Sequence, residues 1–372
     1  MVVSAMLCGM NGFSEIEHFC EKQTGGNFPM EPLVSPKRIA ESMPAHPATS
    51  RRDFLKTTLL FSSGLLAGAA SGNLEAAAGM GEAGLHVLAL GDFGTNNAKQ
   101  RAVADAMVGL VKESRMSPAA VLALGDNFYG HLSPETIPTR FGGYYPKASL
   151  DCPFYAVLGN HDYGPGYDSK QGRAKADMEL GHSVRNPGSR WKMPAKWYSR
   201  ELGPVNDPLV KILFLDGNYF EGALTPQEKI AQRRWLAAEL KRPTKAKWIW
   251  IASHYPLFSH AKPDRDRERR RLREEWKNAL GDPRVSLCFA GHDHTLQHLR
   301  AEGYAQDFIV SGGGGASRHD VAEAGKDFSM KTRGFNHIHV TEEKLTVRFI
   351  NPEGRLLHAF ERDRKGSMKV LS

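Results

Sequence analysis

The chain is organised around one stretch, Val285-Ser286-Leu287-Cys288-Phe289-Ala290-Gly291-His292-Asp293-His294. Six residues of alternating and β-branched character, ended by a glycine, predict a buried strand that runs into a tight turn. Two histidines separated by one residue then lie at the carboxyl end of that strand, the edge at which open α/β sheets bind ligands. Because imidazole is a common metal ligand, this edge is a candidate metal site.

The same arrangement, an apolar strand followed by a side chain of the kind that binds metals, occurs four more times. Predicted strands at 86–90, 121–124, 154–158 and 248–253 lead to Asp92, Asp126 with Tyr129, Asn160 with His161, and His254. Together with His292 and His294 these make eight candidate side chains. Such a set of carboxylate, amide, phenol and imidazole groups suits two metal ions, roughly 3.5–4 Å apart, better than one. One carboxylate must then bridge the two ions, and Asp126 is the candidate.

The order of the predicted elements indicates the fold class. Further strands are predicted at 211–216, 308–311, 337–340 and 345–349, and helices at 97–113, 225–241 and 264–280. Thr225 is the predicted N-cap of the second helix, with Pro226 at its first position. Residues 163–206 are predicted to form loops with one short helix. We therefore expect an α/β (α+β) fold of two packed mixed β-sheets flanked by helices, with the last three strands in a second, more antiparallel sheet.

Composition and charge narrow the class of protein. The 372 residues, 24% of them charged, describe an ordinary globular protein that can bury a sizeable core. A formal net charge of +8 is compatible with anionic substrates. No RNA-binding or zinc-finger signature is present, so we expect no nucleic-acid partner. Of the four cysteines only Cys152 and Cys288 lie in the body of the chain, which leaves no disulfide framework.

The amino-terminal residues are predicted to contain a targeting signal rather than a folded domain. Residues 1–49 are rich in Gly, Pro and Ser and are predicted to be a disordered or mis-annotated extension, with Met43 as an alternative start. Residues 50–78 begin Ser-Arg-Arg-Asp-Phe-Leu-Lys, continue with a small-residue apolar run and end in three alanines. This resembles a twin-arginine export signal with its cleavage site.

Three expectations follow from that signal. The protein is exported, already folded, by the twin-arginine machinery to the periplasm or the medium. The mature protein is a single domain over residues 79–372. It has no stable membrane insertion after cleavage, because the apolar run is too short and glycine-rich to span a bilayer comfortably; a short anchor is the alternative.

Five ordered motifs resemble those of a known family. They are Gly-Asp-x-Gly at 91–94, Gly-Asp-x-x-Tyr at 125–129, Gly-Asn-His-Asp at 159–162, His-Tyr-Pro at 254–256 and Gly-His-Asp-His at 291–294. This series resembles the calcineurin-like metallophosphoesterases over about residues 85–315, and within them the small, tartrate-resistant type of purple acid phosphatase. Gly94 stands where the superfamily commonly has a metal-binding histidine, and Tyr129 is that branch's replacement ligand.

The resemblance implies a four-layer sandwich, hydrolysis of small phosphate monoesters by in-line attack of a metal-activated hydroxide, and specific residue roles. Asp92, Asp126, Tyr129 and His294 would bind Fe(III). Asp126, Asn160, His254 and His292 would bind a second, divalent ion (Fe, Zn or Mn). His161 would protonate the leaving group or stabilise the transition state. His260 is a second candidate acid, although it lies closer to His254 in sequence than its counterpart does in the family.

Other polar residues have ordinary interpretations. The arginines between 265 and 273 are predicted to form a solvated helix face, with a phosphate-steering patch as the alternative. Gly312 to Gly315 are predicted to let the backbone pass beneath the metals. Surface or core roles are predicted for Asp162, His298, His319, His337 and His339. A structural role is predicted for Trp191 and for Trp197 with Tyr198.

Two other functions remain open on the sequence. A dimetal phosphodiesterase of the same superfamily would carry the same metal ligands, because the loops select mono- or diesters. A non-catalytic, metal-binding exported protein would be expected to lack one or more of the ligands, and none is missing from this chain.

Overall fold

A computed structural model describes residues 84–164, 170–219, 223–323 and 325–372, which contain both β-strands and α-helices. The strands are β1 Leu85–Leu90, β2 Ala120–Ala123, β3 Phe154–Ala156, β4 Trp191–Lys192, β5 Tyr198–Leu202, β6 Val210–Phe214, β7 Trp248–Ala252, β8 Ala261–Lys262, β9 Val285–Ala290, β10 Leu296–Leu299, β11 Asp307–Ser311, β12 Asp320–Val321, β13 Phe328–Met330, β14 Phe335–Val340, β15 Lys344–Ile350, β16 Leu356–Asp363 and β17 Met368–Val370. The helices are α1 Ala98–Ser114, α2 Ile137–Gly142, α3 Lys170–Arg185, α4 Pro226–Lys241, α5 Asp266–Glu275 and α6 Lys277–Leu280.

Two large mixed sheets contain all of these strands except β8 and β12, which pair with each other in a small third sheet. Sheet A has the order β17-β16-β15-β14-β1-β2-β3-β4, and sheet B has the order β13-β10-β11-β9-β7-β6-β5. Strands β1 to β4 run parallel in sheet A, as do β6, β7, β9 and β11 in sheet B. Parallel neighbours end at the same edge of their sheet, so the motif turns after these strands are brought together.

Two apolar clusters hold the layers. Trp250 and Phe289 of sheet B share one cluster with the strands of sheet A, which fills the space between the sheets. Ile251 of sheet B and Leu236 of α4 belong to a second cluster, together with Trp276. Because successive strand side chains point to opposite faces, one strand serves both clusters. The predicted architecture of two mixed sheets flanked by helices is therefore confirmed.

Local signals also predicted the helix ends well. Asn97 is the N-cap of α1, and its side chain accepts hydrogen bonds from the N–H groups of Lys99 and Gln100. Thr225 is the N-cap of α4 and Pro226 lies in its first turn, as the sequence predicted, and Glu228 completes a reciprocal capping box with Thr225.

Three expectations about the fold are wrong. Residues 163–206 contain the 16-residue helix α3 as well as β4 and β5, rather than loops with one short helix. The face of α3 toward the core includes buried Lys175 and Glu179, so an apolar period is missing from its sequence. The helix predicted at 264–280 is divided at Trp276. Finally, β14 and β15 join β1 in sheet A rather than lying with β11.

The predicted extension at 1–49 and the predicted export signal at 50–78 lie outside the described residues. Within the described part of the chain, none of the helices combines the length and the apolar character that crossing a bilayer requires. Cys152 and Cys288 are buried and unpaired.

Candidate metal centre

Three candidate ligands lie on turns with left-handed backbone. Asp92 has φ 59°, Asp126 has φ 52° and His292 has φ 66°. For residues other than glycine this conformation is uncommon and costs about 1–3 kcal/mol, and it is concentrated at functional sites. Each of the three directly follows a glycine that ends a strand, which is the pattern on which the sequence prediction rested.

Buried carboxylates and an imidazole form the middle of the site. Asp92, Asp126 and His254 each place a potential ligand atom within 4.8 Å of the others. All three side chains are at most 1% exposed. Carboxylates so far from water remain ionised only with a cation nearby, because burying an unpaired charge is strongly unfavourable.

One half of the site gathers around Tyr129. The Tyr129 hydroxyl donates a hydrogen bond to Oδ2 of Asp126 at 2.9 Å. It lies 3.5 Å from Oδ1 of Asp92 and 3.5 Å from Nε2 of His294. Nε2 of His294 is in turn 3.2 Å from Oδ1 of Asp92. The four residues predicted to bind Fe(III) therefore lie together.

The other half gathers around the Asn160 amide. Its Oδ1 atom lies 3.0 Å from Nε2 of His254 and 3.0 Å from Nδ1 of His292. The two imidazole nitrogens are 3.3 Å apart, and Nε2 of His254 is 3.4 Å from Oδ1 of Asp126. Asp126 thus presents one oxygen to each half, a position that suits the bridging role predicted for it.

Hydrogen bonds on the far side of two rings show which nitrogens are available. Nδ1 of His254 donates to the carbonyl of Leu124 at 2.8 Å, and Nδ1 of His294 donates to the carbonyl of Ser317. A carbonyl only accepts, so Nε2 of each neutral ring carries its lone pair toward the site. His292 presents Nδ1 instead, and its buried Nε2 has no partner among the described residues. Lone pairs that converge in this way fit metal cations.

The pKa shifts of the clustered residues also indicate a site for positive charge. Burial raises the pKa of Asp92, and the charge of Asp126 raises it further. Burial and the charges of Asp126 and Asp92 likewise hold the pKa of Tyr129 well above its usual value. For His254 burial lowers the pKa, but the two carboxylates outweigh it and the net shift is upward. Positive charge is therefore favoured in this cluster, whether carried by a proton or by a metal ion.

The two candidate catalytic histidines differ in their surroundings. The exposed ring of His161 lies 4.5 Å from the ring of Tyr129, centroid to centroid, at the open side of the cluster. His260 is held by other partners: its ring pairs with Asp327 at 2.9 Å and its N–H donates to Gln297 at 2.8 Å. The structure therefore brings His161 to the cluster, whereas the hydrogen bond of the His260 ring is directed to Asp327.

Asp162 ties together two of the motif turns. Its buried carboxylate accepts hydrogen bonds from the N–H of Phe128 at 3.1 Å, the N–H of Gly159 at 2.8 Å and the side chain of Asn127 at 3.0 Å. Phe128 precedes Tyr129, and Gly159 precedes Asn160. The ordinary structural role predicted for Asp162 therefore includes support of both halves of the site.

Two basic side chains on helices also hold the motif turns in place, and the sequence did not predict this role. Lys175 of α3 donates to the carbonyls of Phe128 and His161. Arg140 of α2 donates to the carbonyls of Gly94 and Tyr129, both at 2.8 Å. No local signal marked these residues, because their role depends on where the two helices pack.

The prediction of a solvated face for the arginine-rich helix is wrong in part. Arg269 is only 5% exposed, and its guanidinium lies 3.7 Å from Asp293. Arg265 lies 2.9 Å from the same carboxylate. Burial opposes ionisation of Asp293, but the neighbouring rings of His319 and His292 and the charge of Arg265 outweigh it and hold the Asp293 pKa low. These arginines anchor the turn that carries His292 and His294.

Two further structural predictions agree with the geometry. A Cβ atom at Gly312 would lie 2.2 Å from the carbonyl oxygen of Asp293 and 3.0 Å from a carboxylate oxygen of Asp92, so only glycine lets the backbone pass there. Trp191 is fully buried, and Tyr198 stacks on Phe214 at 4.5 Å.

Comparison with known proteins agrees with this geometry. Residues 85–296 match the model of the calcineurin-like phosphoesterase family. Purple acid phosphatase 4 of Arabidopsis thaliana is 26% identical over 291 residues, which are 74% of this chain and 82% of that protein. Two solved structures share the fold of this chain. Purple acid phosphatase PPD1 from yellow lupin (Lupinus luteus) seeds superposes with a TM-score of 0.56 at 18% identity, over 76% of this chain and 55% of the other. GAP50, the anchor in the inner membrane complex of Plasmodium, superposes with a TM-score of 0.58 at 19% identity, over 75% and 88%.

Proposed function

Since the chain belongs to the calcineurin-like phosphoesterase family, we propose that it hydrolyses phosphate monoesters with a dinuclear centre of the purple acid phosphatase kind. The observation that carries this proposal is the position of Tyr129, whose hydroxyl lies among Asp92, Asp126 and His294. A Cβ atom at Gly94 would lie 2.1 Å from the carbonyl oxygen of Asn127. The superfamily's usual histidine therefore does not fit at Gly94.

The distances support a specific division of ligands. Fe(III) would be held by Asp92, Tyr129, His294 and Asp126, since a phenolate is a hard anionic donor. A divalent ion, Fe, Zn or Mn, would be held by Asn160, His254, His292 and the shared Asp126. When bound, the two ions would supply positive charge to the phosphoryl oxygens and an activated water for in-line displacement.

The protein's own part in the reaction falls mainly to His161. Its ring faces solvent beside Tyr129, so it can reach the oxygen of a departing alcohol and donate a proton to it. Its main chain is held by Asp126 and Lys175, which positions the ring. His260, paired with Asp327, is the weaker candidate for this role.

Metal analysis and the visible spectrum test the proposal. We expect two metal ions per chain, at least one of them iron, and a visible charge-transfer band that is lost in Tyr129→Phe. Tyr304→Phe is the matched control, since Tyr304 lies just before β11 at the opposite edge of sheet B. A colourless oxidised protein with two iron ions, or an unchanged band in Tyr129→Phe, would overturn the ferric-tyrosinate centre.

Substrate comparison separates the proposed reaction from its rivals. A monoesterase should turn over nitrophenyl phosphate faster than bis(nitrophenyl) phosphate, whereas a phosphodiesterase should show the reverse order. A non-catalytic metal-binding protein should turn over neither ester when both metal sites are filled. The complete set of candidate ligands in one cluster favours an enzyme.

We also infer that residues 50–78 direct export of the folded protein to the periplasm or the medium. This inference rests on the sequence alone, chiefly on Arg51-Arg52 before an apolar run. Changing both arginines to lysine should leave active, uncleaved protein in the cytoplasm. Unaltered delivery of the double variant would contradict the inference.

A further inference from the structure

Residues 317–319 lie directly beside His294. The carbonyl of Ser317 accepts the hydrogen bond from Nδ1 of His294. The N–H of His319 donates to the carbonyl of His294 at 3.2 Å, and Nδ1 of His319 accepts from the N–H of His294 at 3.2 Å. The two rings also stack, with centroids 4.2 Å apart. The main chain of Arg318, between these two anchored residues, is therefore held beside the candidate metal centre, and its side chain is exposed.

A second arginine reaches the same edge from another part of the chain. Arg333 donates from Nε to the carbonyl of Ala316 at 3.2 Å, and the N–H of Ala316 donates to the carbonyl of Asp92 at 3.0 Å. Arg333 lies just before β14, which runs antiparallel to β1, so it lies at the end of sheet A that carries the site. Since Arg333 is held on the main chain two residues before Arg318, the two arginines are neighbours at this edge of the site.

Among the residues that the structure describes, no carboxylate forms an ion pair with Arg318 or Arg333. The acid next to Arg318 in sequence, Asp320, instead pairs with Lys331 at 2.6 Å. Arg265, also near the site, is paired with Asp293. Two like charges held near each other without a counter-charge repel, and a bound anion would remove that repulsion.

We propose that Arg318 and Arg333 bind a second anionic group of the substrate, so that the preferred substrate is a phosphate monoester that also carries a phosphate or a carboxylate. This inference rests on the proposed function, because it assumes that the reacting phosphate occupies the metal centre. The planar guanidinium fork matches the oxygens of either group and binds them with charge-assisted hydrogen bonds. The two arginines would thus determine specificity at the rim, while the metal ligands carry out the reaction.

Three aryl esters test the inference: phenyl phosphate, carboxyphenyl phosphate and phenylene bisphosphate. For each enzyme the measurement is kcat/KM for an ester with a second anion, divided by kcat/KM for phenyl phosphate. We expect this ratio to fall about tenfold or more in Arg318→Gln and in Arg333→Gln. High salt should reduce the ratio of the unaltered enzyme, because exposed charges are screened. In Arg318→Lys this ratio should fall less than in Arg318→Gln, because lysine keeps the positive charge but lacks the planar guanidinium group.

Arg364→Gln is the matched control. Arg364 is an exposed arginine in the turn between β16 and β17, at the end of sheet A away from the site. Its variant should keep the ratio of the unaltered enzyme. A fall confined to one of the two dianionic esters supports the site and identifies which oxyanion it binds.

Two outcomes would overturn the inference, and they are distinguishable. If all enzymes are active and the ratio is the same in Arg318→Gln, Arg333→Gln and the unaltered enzyme, the rim site is wrong and the phosphatase proposal stands. If the unaltered enzyme, with both metals bound, hydrolyses none of the three esters, the proposed function is wrong and the inference fails with it.

Discussion

The main-chain N–H of His161 donates a hydrogen bond to Oδ1 of Asp126 at 2.8 Å. Through its other oxygen, the same carboxylate accepts the hydroxyl of Tyr129 at 2.9 Å. One side chain thus joins the turn of the proposed acid to the turn of the proposed ferric ligand. The backbone of His161 is held in place while its ring remains at the open side of the site.

The first prediction concerns proton donation by His161. General acid catalysis contributes about 10²–10⁴-fold and matters most when the leaving group is a poor one. His161→Ala should therefore keep both metals and the visible band, and should lose about 10²-fold or more in kcat on an alkyl phosphate. The loss on nitrophenyl phosphate should be much smaller, because nitrophenolate leaves without a proton. His131→Ala, at an exposed loop histidine, is the control.

Two results would contradict this role. Equal losses on both substrates would indicate that His161 stabilises charge in the transition state rather than donating a proton. Loss of metal from His161→Ala would indicate that the imidazole is itself a ligand.

The second prediction concerns the close approach at Gly94. The Cβ atom of an alanine there would lie 2.1 Å from the carbonyl oxygen of Asn127, so the turn that carries Asp126 and Tyr129 must shift. Gly94→Ala should therefore lower both the free energy of unfolding and the iron content. Gly109→Ala is a control of the same chemistry within α1, where a Cβ meets nothing within 4 Å. It should raise the free energy of unfolding by about 0.5–1 kcal/mol. Full metal content in Gly94→Ala would show that the turn accommodates a side chain.

The third prediction concerns the carboxylate of Asp162. Phe128 and Gly159 donate to different oxygens of Asp162, so in Asp162→Asn the amide N–H₂ would face the N–H of one or the other. Leaving buried donors unsatisfied costs about 1–3 kcal/mol each, so we expect a loss of that order in the free energy of unfolding and weaker metal binding. Asp151→Asn is the control, since its side chain is 65% exposed. Denaturant unfolding and metal titration measure the two effects, and equal behaviour of both variants would contradict the prediction.

The fourth prediction concerns acid stability and His86. Burial lowers the pKa of His86 to about 4, and the charges of His339 and Arg348 contribute. The ring of His337 lies 3.0 Å away, nitrogen to nitrogen. The unfolded chain takes up a proton at this residue near pH 6.5, whereas the folded protein does so only near pH 4. The free energy of unfolding should therefore fall as the pH falls from 6.5 to about 4.

Removing the titrating ring should flatten that dependence. In His86→Gln, the loss of unfolding free energy between pH 7 and pH 4.5 should be smaller by about 1–2 kcal/mol, allowing for solvent screening. Urea unfolding at the two pH values measures it, with His131→Gln as the exposed control. An unchanged pH dependence in His86→Gln would show that other groups carry the acid sensitivity.

The sequence by itself determined the local parts of the site. Strand β9 spans Val285–Ala290, the range predicted from its apolar run and the following glycine. The ligand turns and the N-cap at Thr225 were also predicted, because each depends on a few adjacent residues whose side chains and backbone conformations act over one turn.

Contacts between residues far apart in sequence were decided only by the tertiary structure. The pairing of β14 with β1 joins residues about 250 positions apart, and an apolar strand sequence does not specify which partner it takes. The proximity of Arg318 to Arg333 likewise depends on that pairing, which brings the start of β14 to the site. Helix α3 was not predicted because the polar residues Lys175 and Glu179 lie on its buried face, so its sequence lacks the apolar periodicity of a helix. Backbone turns are encoded by neighbours in sequence, whereas strand partners and opposing charges are selected by the packing of the whole fold.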